Sequence, residues 1–403
     1  MNPVDAKFLF MRHLSLRFLT AAAVAALSVP AVAAAQDLPE IPAGSDNALR
    51  DLVVTANSSP ASSGSSLNGL LSSLSLIGSS ELPLGGPLLS SDDRYPLAID
   101  ESIDEVEILE KKIERADERV ERWFVTSPSM ARVVEVQIKK AADPAAPAPM
   151  IYMLDGIGGS TNNSGWLNHG EAERVFGGEN VTLVMPTQAA GSLYSDWEQD
   201  DPALGRHMWE TFITEELAPA LEAEDELNFN GKRGIGGLSM GAIGAVHIAN
   251  TNPELFDATF GISGCYSPND AVGRQMVNLV VGSRGGAVEN MWGPYGSDLW
   301  DFHDTTANPE GLRGMAVYLS AADGSFTEED RASYDDDPFF NMAAGATLER
   351  GVLHCTEQLD ESMRDLGMNH QVVDYKGPGV HNWDNYNEQL QPAWNAIKPA
   401  LLP

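Results

Sequence analysis

From about Trp123 onward, short apolar runs alternate with longer segments whose apolar residues recur every three or four positions. Ala131 to Ile138, Met150 to Leu154, Val181 to Met185, Gly234 to Leu238, Ala258 to Ile262, Met315 to Ser320 and Gln371 to Tyr375 read as strands. Trp209 to Leu221, Met240 to Asn250 and Ala343 to Leu366 carry the helical period. Such alternation predicts an α/β protein with a mostly parallel central sheet and helices on both faces. Functional residues are then expected in loops beyond the carboxyl ends of the strands. Upstream, Ile103, Val106, Leu109, Ile113, Ala116 and Val120 lie at helical spacing within the charged stretch Glu101 to Arg122, which predicts an amphipathic helix. The run Trp123-Phe124-Val125-Thr126 at its end is β-prone, so that boundary stays open.

The first segment adds a compartment. Lys7, Arg12 and Arg17 precede an uncharged Ala- and Leu-rich stretch, Phe18 to Gln36, that contains Ala33-Ala34-Ala35, so residues 1–35 read as a cleaved export signal. Residues 36–100, acidic and then rich in Ser, Gly and Leu, read as a flexible amino-terminal region, and residues 101–403 as the catalytic domain. No later segment is long and apolar enough to span a bilayer, so the expected location is secreted or in the cell envelope. Charge narrows the partners. The 403 residues hold 25 Lys and Arg against 58 Asp and Glu, a net charge of −33 that repels phosphate backbones and argues against nucleic acid. The two cysteines, Cys265 and Cys355, are expected to form one disulfide in an exported protein.

Gly237-Leu238-Ser239-Met240-Gly241 follows a strand-like run and precedes a helix-like one, the context that a nucleophile elbow needs. Ser239 is the candidate nucleophile and the Met240 N–H a candidate oxyanion donor; a second donor is expected near Ile157, in the loop Asp155-Gly156-Ile157-Gly158-Gly159. The base should lie past the last strand. His381, in Gly377-Pro378-Gly379-Val380-His381, fits that position better than His247 and His354, which sit inside predicted helices, or His370, which opens the strand. The acid should follow Met315 to Ser320, where Asp323, Glu328, Glu329 and Asp330 are all available and spacing alone does not choose. No metal and no cofactor are expected.

Several runs, taken in order, carry a resemblance: Ser127-Pro128-Ser129-Met130, Tyr152-Met153-Leu154-Asp155-Gly156, Tyr194-Ser195-Asp196-Trp197, Trp209-Glu210-Thr211-Phe212, Gly237-Leu238-Ser239-Met240, Asn290-Met291-Trp292-Gly293-Pro294 and His381-x-Trp383. From about Trp123 to the carboxyl end the chain resembles the antigen 85 mycolyltransferases, exported acyltransferases with an esterase-like α/β-hydrolase fold. The resemblance implies that Ser239 takes a mycolyl group from trehalose monomycolate and passes it to a second trehalose monomycolate or to arabinogalactan. Set against the family pattern Asn-Gly-Thr-Pro-Asn-Glu, the run Asp323-Gly324-Ser325-Phe326-Thr327-Glu328 implies Glu328 as the acid of a Ser-Glu-His triad. It further implies oxyanion donors at Ile157 and Met240 and a sugar site at Asp155 and Trp383; the cysteine pair is similar to that of the corynebacterial branch. Gly158 stands where family members often have Arg, so the acceptor preference is expected to differ. A secreted carboxylesterase and a non-catalytic wall-binding protein of the same fold are the alternatives.

Overall fold

The computed structural model describes residues 95–159, 161–328, 330 and 338–402. The expected export signal and almost all of the amino-terminal region lie outside them. Nine strands form one sheet: β1 (Ile108–Arg115), β2 (Val120–Ser127), β3 (Arg132–Lys139), β4 (Ala148–Leu154), β5 (Thr182–Pro186), β6 (Phe229–Leu238), β7 (Ala258–Ile262), β8 (Ala316–Ala321) and β9 (Val372–Tyr375). Their spatial order is β1-β2-β3-β5-β4-β6-β7-β8-β9. Pairing is antiparallel from β1 through β3 to β5 and parallel from β5 to β9. The mostly parallel sheet expected from the sequence is therefore present, with an antiparallel extension on one side.

The central strands are apolar throughout because both faces are covered. Along β4, Met150, Tyr152 and Leu154 enter one core while Ile151 and Met153 enter another, the two-residue alternation of a strand lying between two layers. On the first face packs the helix Met240–Thr251, through Ala242, Ala245, Val246 and Ile248; on the second packs the helix Trp383–Leu401, through Tyr386, Leu390, Trp394 and Ile397. Every strand expected downstream of Ala131 is found, with ends shifted by a few residues, and β6 begins earlier, at Phe229. The helices Ala271–Gly282 and Trp383–Leu401 were not expected.

The amphipathic helix expected over Glu101 to Arg122 is a correction. This stretch contains β1, a short turn and the start of β2. Leu109 and Ile113, both on the expected apolar stripe, are 54% and 75% exposed, so burial does not select the helical register. Backbone pairing with β2 wins, and the resulting edge strand is lined with charge: Lys111 reaches Glu224 at 2.7 Å and lies 4.0 Å over the Trp123 ring.

Cys265 and Cys355 are joined as a disulfide, with Cα atoms 4.8 Å apart across a separation of 90 residues. It ties the segment after β7 to the helix Pro338–Asp365. On a chain-entropy argument such closure contributes about 4–5 kcal/mol. Among the described residues, no helix is long and apolar enough to cross a membrane.

Candidate active site

β6 ends at Leu238 and the helix Met240–Thr251 begins two residues later, leaving Ser239 alone to make the turn with φ 53° and ψ −122°. The flanking glycines are required by space. A Cβ on Gly237 would stand 2.3 Å from the Gly241 carbonyl carbon, and one on Gly241 would stand 2.3 Å from the Leu154 carbonyl oxygen. Strand and helix can approach this closely only where neither residue has a side chain, and the approach lifts Ser239 above the sheet.

His381 lies beyond β9 and immediately before the helix Trp383–Leu401. Its Nε2 is 2.8 Å from Ser239 Oγ, and its Nδ1 is 2.8 Å from Glu349 Oε2. A carboxylate only accepts, so Nδ1 carries the proton and Nε2 offers its lone pair to the serine hydroxyl. Glu349 is fully buried, and its Oε1 accepts from Ser263 Oγ, the Ala322 N–H and Asn385 Nδ2 at 2.7, 2.8 and 3.0 Å. Three donors anchor one oxygen while the other faces the imidazole.

Glu349 replaces Glu328 as the carboxylate facing His381. Glu328 is exposed and makes no hydrogen bond to the histidine. Asp323 accepts from Ser325, while Asp330 accepts from Thr327 and from Asn382 Nδ2, so Asp330 steadies the residue next to His381 rather than the imidazole itself. The hydrogen-bonded residues follow the chain order Ser239, Glu349, His381, and the carboxylate sits on the helix Pro338–Asp365 instead of the loop before it. A signal for it exists in the sequence. Glu349 shares one helical face with Ala346, Val352 and Thr356, all buried, and a carboxylate on an apolar stripe calls for a buried partner.

Ser239, His381, Ile157 and Met240 border one cavity, with about 470 Å³ of empty space continuous with solvent. Its remaining walls are largely apolar, from Ile243, Met276, Leu279, Val280, Leu348 and Val352, with Cys265 of the disulfide among them. Neither the Ile157 nor the Met240 N–H donates to another described residue, so both are available beside Ser239.

Asp155 and Trp383 are brought together at Gly165. A Cβ there would be 2.5 Å from the Trp383 ring and 3.1 Å from Asp155 Oδ1. Asp155 Oδ1 accepts from the Gly165 N–H at 3.0 Å and from Ser164 Oγ at 3.2 Å, whereas Oδ2 is buried without a partner. Tyr194, in one of the motif runs, accepts the Asp155 N–H at 2.9 Å and packs against Trp209 from another run, so these runs form the scaffold beneath the site. Trp383 is half-buried and lies against Trp166 and His169.

Burial raises the Asp155 carboxyl to about 7, against hydrogen bonds from Gly165, Ser164 and Trp166 that lower it. A folded pKa above the unfolded one means that the group favours folding while protonated: this contribution is complete below about pH 4 and is lost as pH rises through about 7. Asp155→Asn cannot ionise, so the wild-type Tm is expected to fall relative to the variant's between about pH 5 and 8. Parallel Tm profiles would mean that Asp155 ionises in the folded protein as easily as in the unfolded chain.

Gly158 leaves room for a cation from elsewhere. A Cβ on it would be 3.4 Å from an Arg284 Nη2 that arrives from beyond the helix Ala271–Gly282. Arg284 is buried, forms no ion pair with a described carboxylate, and its Nε has no hydrogen-bond partner. Burial pulls its pKa down to about 10, with the Tyr95 hydroxyl opposing.

Residues 127–397 match the Esterase family. The diacylglycerol acyltransferase/mycolyltransferase Ag85A of Mycobacterium bovis BCG is 30% identical over 290 residues, covering 70% of this chain and 80% of that one. Its counterpart in Mycobacterium leprae is 29% identical, covering 70% and 82%. Among solved structures, MPT51 of Mycobacterium tuberculosis aligns with a TM-score of 0.57 at 23% identity, over 69% of this chain and 97% of its own. An S-formylglutathione hydrolase from Agrobacterium tumefaciens aligns with a TM-score of 0.54 at 16% identity, over 73% and 100%. At these identities the two structures speak to the α/β-hydrolase fold alone.

Proposed function

This chain belongs to the Esterase family and, within it, to the antigen 85 mycolyltransferases, and from that premise we propose that it is an exported acyltransferase working through an acyl-Ser239 intermediate. The observation that carries this reading is the hydrogen-bonded series Ser239–His381–Glu349 at the mouth of an apolar cavity. Ser239 Oγ attacks the ester carbonyl of a trehalose monomycolate as His381 Nε2 takes its proton. The Ile157 and Met240 N–H groups receive the charge that develops on the carbonyl oxygen. His381 then returns the proton to the departing trehalose, leaving the acyl group on Ser239. A second alcohol, from trehalose monomycolate or arabinogalactan, gives its proton to His381 Nε2 as it attacks the acyl-enzyme carbonyl, and His381 returns that proton to Ser239 Oγ as the new ester leaves. Glu349 holds the imidazole in the tautomer that both halves require. The apolar walls suit the first part of an acyl chain, whose transfer from water gains about 0.8 kcal/mol per buried methylene.

Transfer differs from hydrolysis only in what attacks the acyl-enzyme. Asp155 and Trp383 support the transferase reading because a carboxyl beside an indole face offers the hydrogen bond and the stacking surface that position a sugar. Arg284 supplies a guanidinium beside Gly158, so acceptor binding is assigned to this second segment. With a trehalose acyl donor, added trehalose should divert the acyl group from free acid to sugar ester. Asp155→Ala should shift the partition back towards acid, and Arg284→Gln should raise the trehalose concentration needed for half-diversion. A product ratio indifferent to trehalose would make the protein a secreted carboxylesterase; the absence of any acyl release would favour the non-catalytic reading.

A further inference from the structure

Behind the helix that Ser239 opens lies a second group of side chains with no part in the chemistry above. Glu210 follows Trp209 at the start of the helical run over residues 209–222, His247 lies on the helix Met240–Thr251, and His303 follows the helix Asp298–Phe302. One ligand atom from each lies within 4.8 Å of the other two. We propose that Glu210, His247 and His303 form a binding site for a divalent transition-metal ion of the Zn(II) type, which braces the helix carrying the nucleophile.

The donor atoms are prepared for such an ion. Glu210 Oε1 accepts from Thr251 Oγ1 at 2.8 Å and from Asn252 Nδ2 at 3.2 Å, which fixes the carboxylate and leaves Oε2 3.7 Å from His247 Nε2. His303 Nδ1 lies 2.7 Å from the Leu299 carbonyl oxygen, and a carbonyl only accepts. The proton is therefore on Nδ1, and Nε2 presents a bare lone pair that is buried and has no partner. His247 is 4% exposed, His303 is 6% exposed, and neither nitrogen of His247 has a hydrogen bond. A backbone carbonyl behind one imidazole and hydroxyl and amide donors behind the carboxylate are the outer partners that orient metal ligands.

Aromatic rings wall the group: Trp292 stacks on His303 at 4.3 Å, and Phe302 meets His247 edge-on at 5.1 Å. Two nitrogens and one carboxylate oxygen match Zn(II), whose bonds of about 2.0–2.1 Å place tetrahedral ligands about 3.3–3.5 Å apart. The His247 and His303 rings are stacked with centroids 4.5 Å apart, so binding turns them until both lone pairs meet one ion, and a water completes the fourth position. His247 stands eight residues along the helix from Ser239, about 12 Å at 1.5 Å per residue, too far for the ion to reach the substrate.

The test uses the processed protein, stripped with a chelator and titrated with Zn(II) and, separately, Co(II). One equivalent of Zn(II) should bind and raise Tm by several degrees. The Co(II) form should show the visible d–d absorption of a tetrahedral site with nitrogen ligands. His247→Gln and His303→Gln should each lose stoichiometric binding and that absorption, while His370→Gln retains both. Ser239→Ala should bind metal as the wild type does, so this result stands apart from the acyl-transfer reading. The proposal fails if wild-type protein takes up no equivalent, if its Co(II) spectrum is that of the hexa-aqua ion, or if both cluster variants bind as wild type does. Wild-type stoichiometry and spectrum are read without any variant, so a misfolded variant cannot conceal the answer. A bridging water would satisfy the same lone pairs, and zero uptake identifies it.

Discussion

Ser239→Ala should lower kcat by about four to six orders of magnitude. Without the hydroxyl no acyl-enzyme forms, and whatever activity remains comes from water acting on a substrate polarised by Ile157 and Met240. The fold should survive, because Ala retains the backbone at the elbow and the Ser239 N–H still donates to the Ile262 carbonyl oxygen at 2.9 Å. Near-identical circular dichroism, loss of ester turnover and loss of labelling by a serine-reactive phosphonate would together establish the nucleophile. Phosphonate on another residue, or a variant with wild-type turnover, would remove Ser239 from the mechanism.

Glu349→Gln should lower kcat by about three to four orders of magnitude, with much less effect on KM. The reason lies in how the carboxylate is held. Oε1 accepts from three donors, so the amide oxygen of Gln must stay there and its NH2 must face His381 Nδ1. An NH2 group donates, which forces the imidazole proton onto Nε2, where it removes the lone pair that Ser239 needs. Gln also keeps all three bonds to Oε1, whereas Ala would strand the Ser263 hydroxyl, the Ala322 N–H and the Asn385 amide in the interior. Glu328→Gln, on an exposed side chain, should leave kcat within about twofold. Kinetics of Glu328→Gln and Glu349→Gln measured side by side decide between them; if the Glu328 variant is the impaired one, the carboxylate assignment here is wrong.

Local pattern made most of this legible. Continuous apolar runs such as Ala258 to Ile262 can be satisfied only in a strand covered on both faces, and β7 has those bounds. The elbow was readable because its constraint is local: Gly237 and Gly241 are spaced to let one strand meet one helix, and no distant residue needs to be known. The position of His381 past the last strand follows from topology, since parallel strands all deliver their ends to one edge of the sheet. The expected export signal, read from charge and apolar length in the first 35 residues, lies outside the described residues.

The remainder depended on contacts between segments far apart in the chain. Glu101 to Arg122 carries a helical period, yet β2 offered an unpaired edge, and interstrand hydrogen bonds outweighed a stripe that stays largely in solvent. Loop composition drew attention to Asp323, Glu328 and Asp330, but which carboxylate meets an imidazole is decided by the path of the helix Pro338–Asp365 across the end of β8, and spacing along the chain does not encode that path. Arg284 beside Gly158, and Glu210 with His247 and His303, were equally hidden: each pairs segments separated by tens of residues, through side chains whose neighbours exist only once the layers have packed. Periodicity and short motifs determine what each segment tends to become because they act within one turn or one strand. The identity of a buried charge's partner is settled by long-range packing, where a buried polar group must find whichever complement the folded chain brings within about 3 Å.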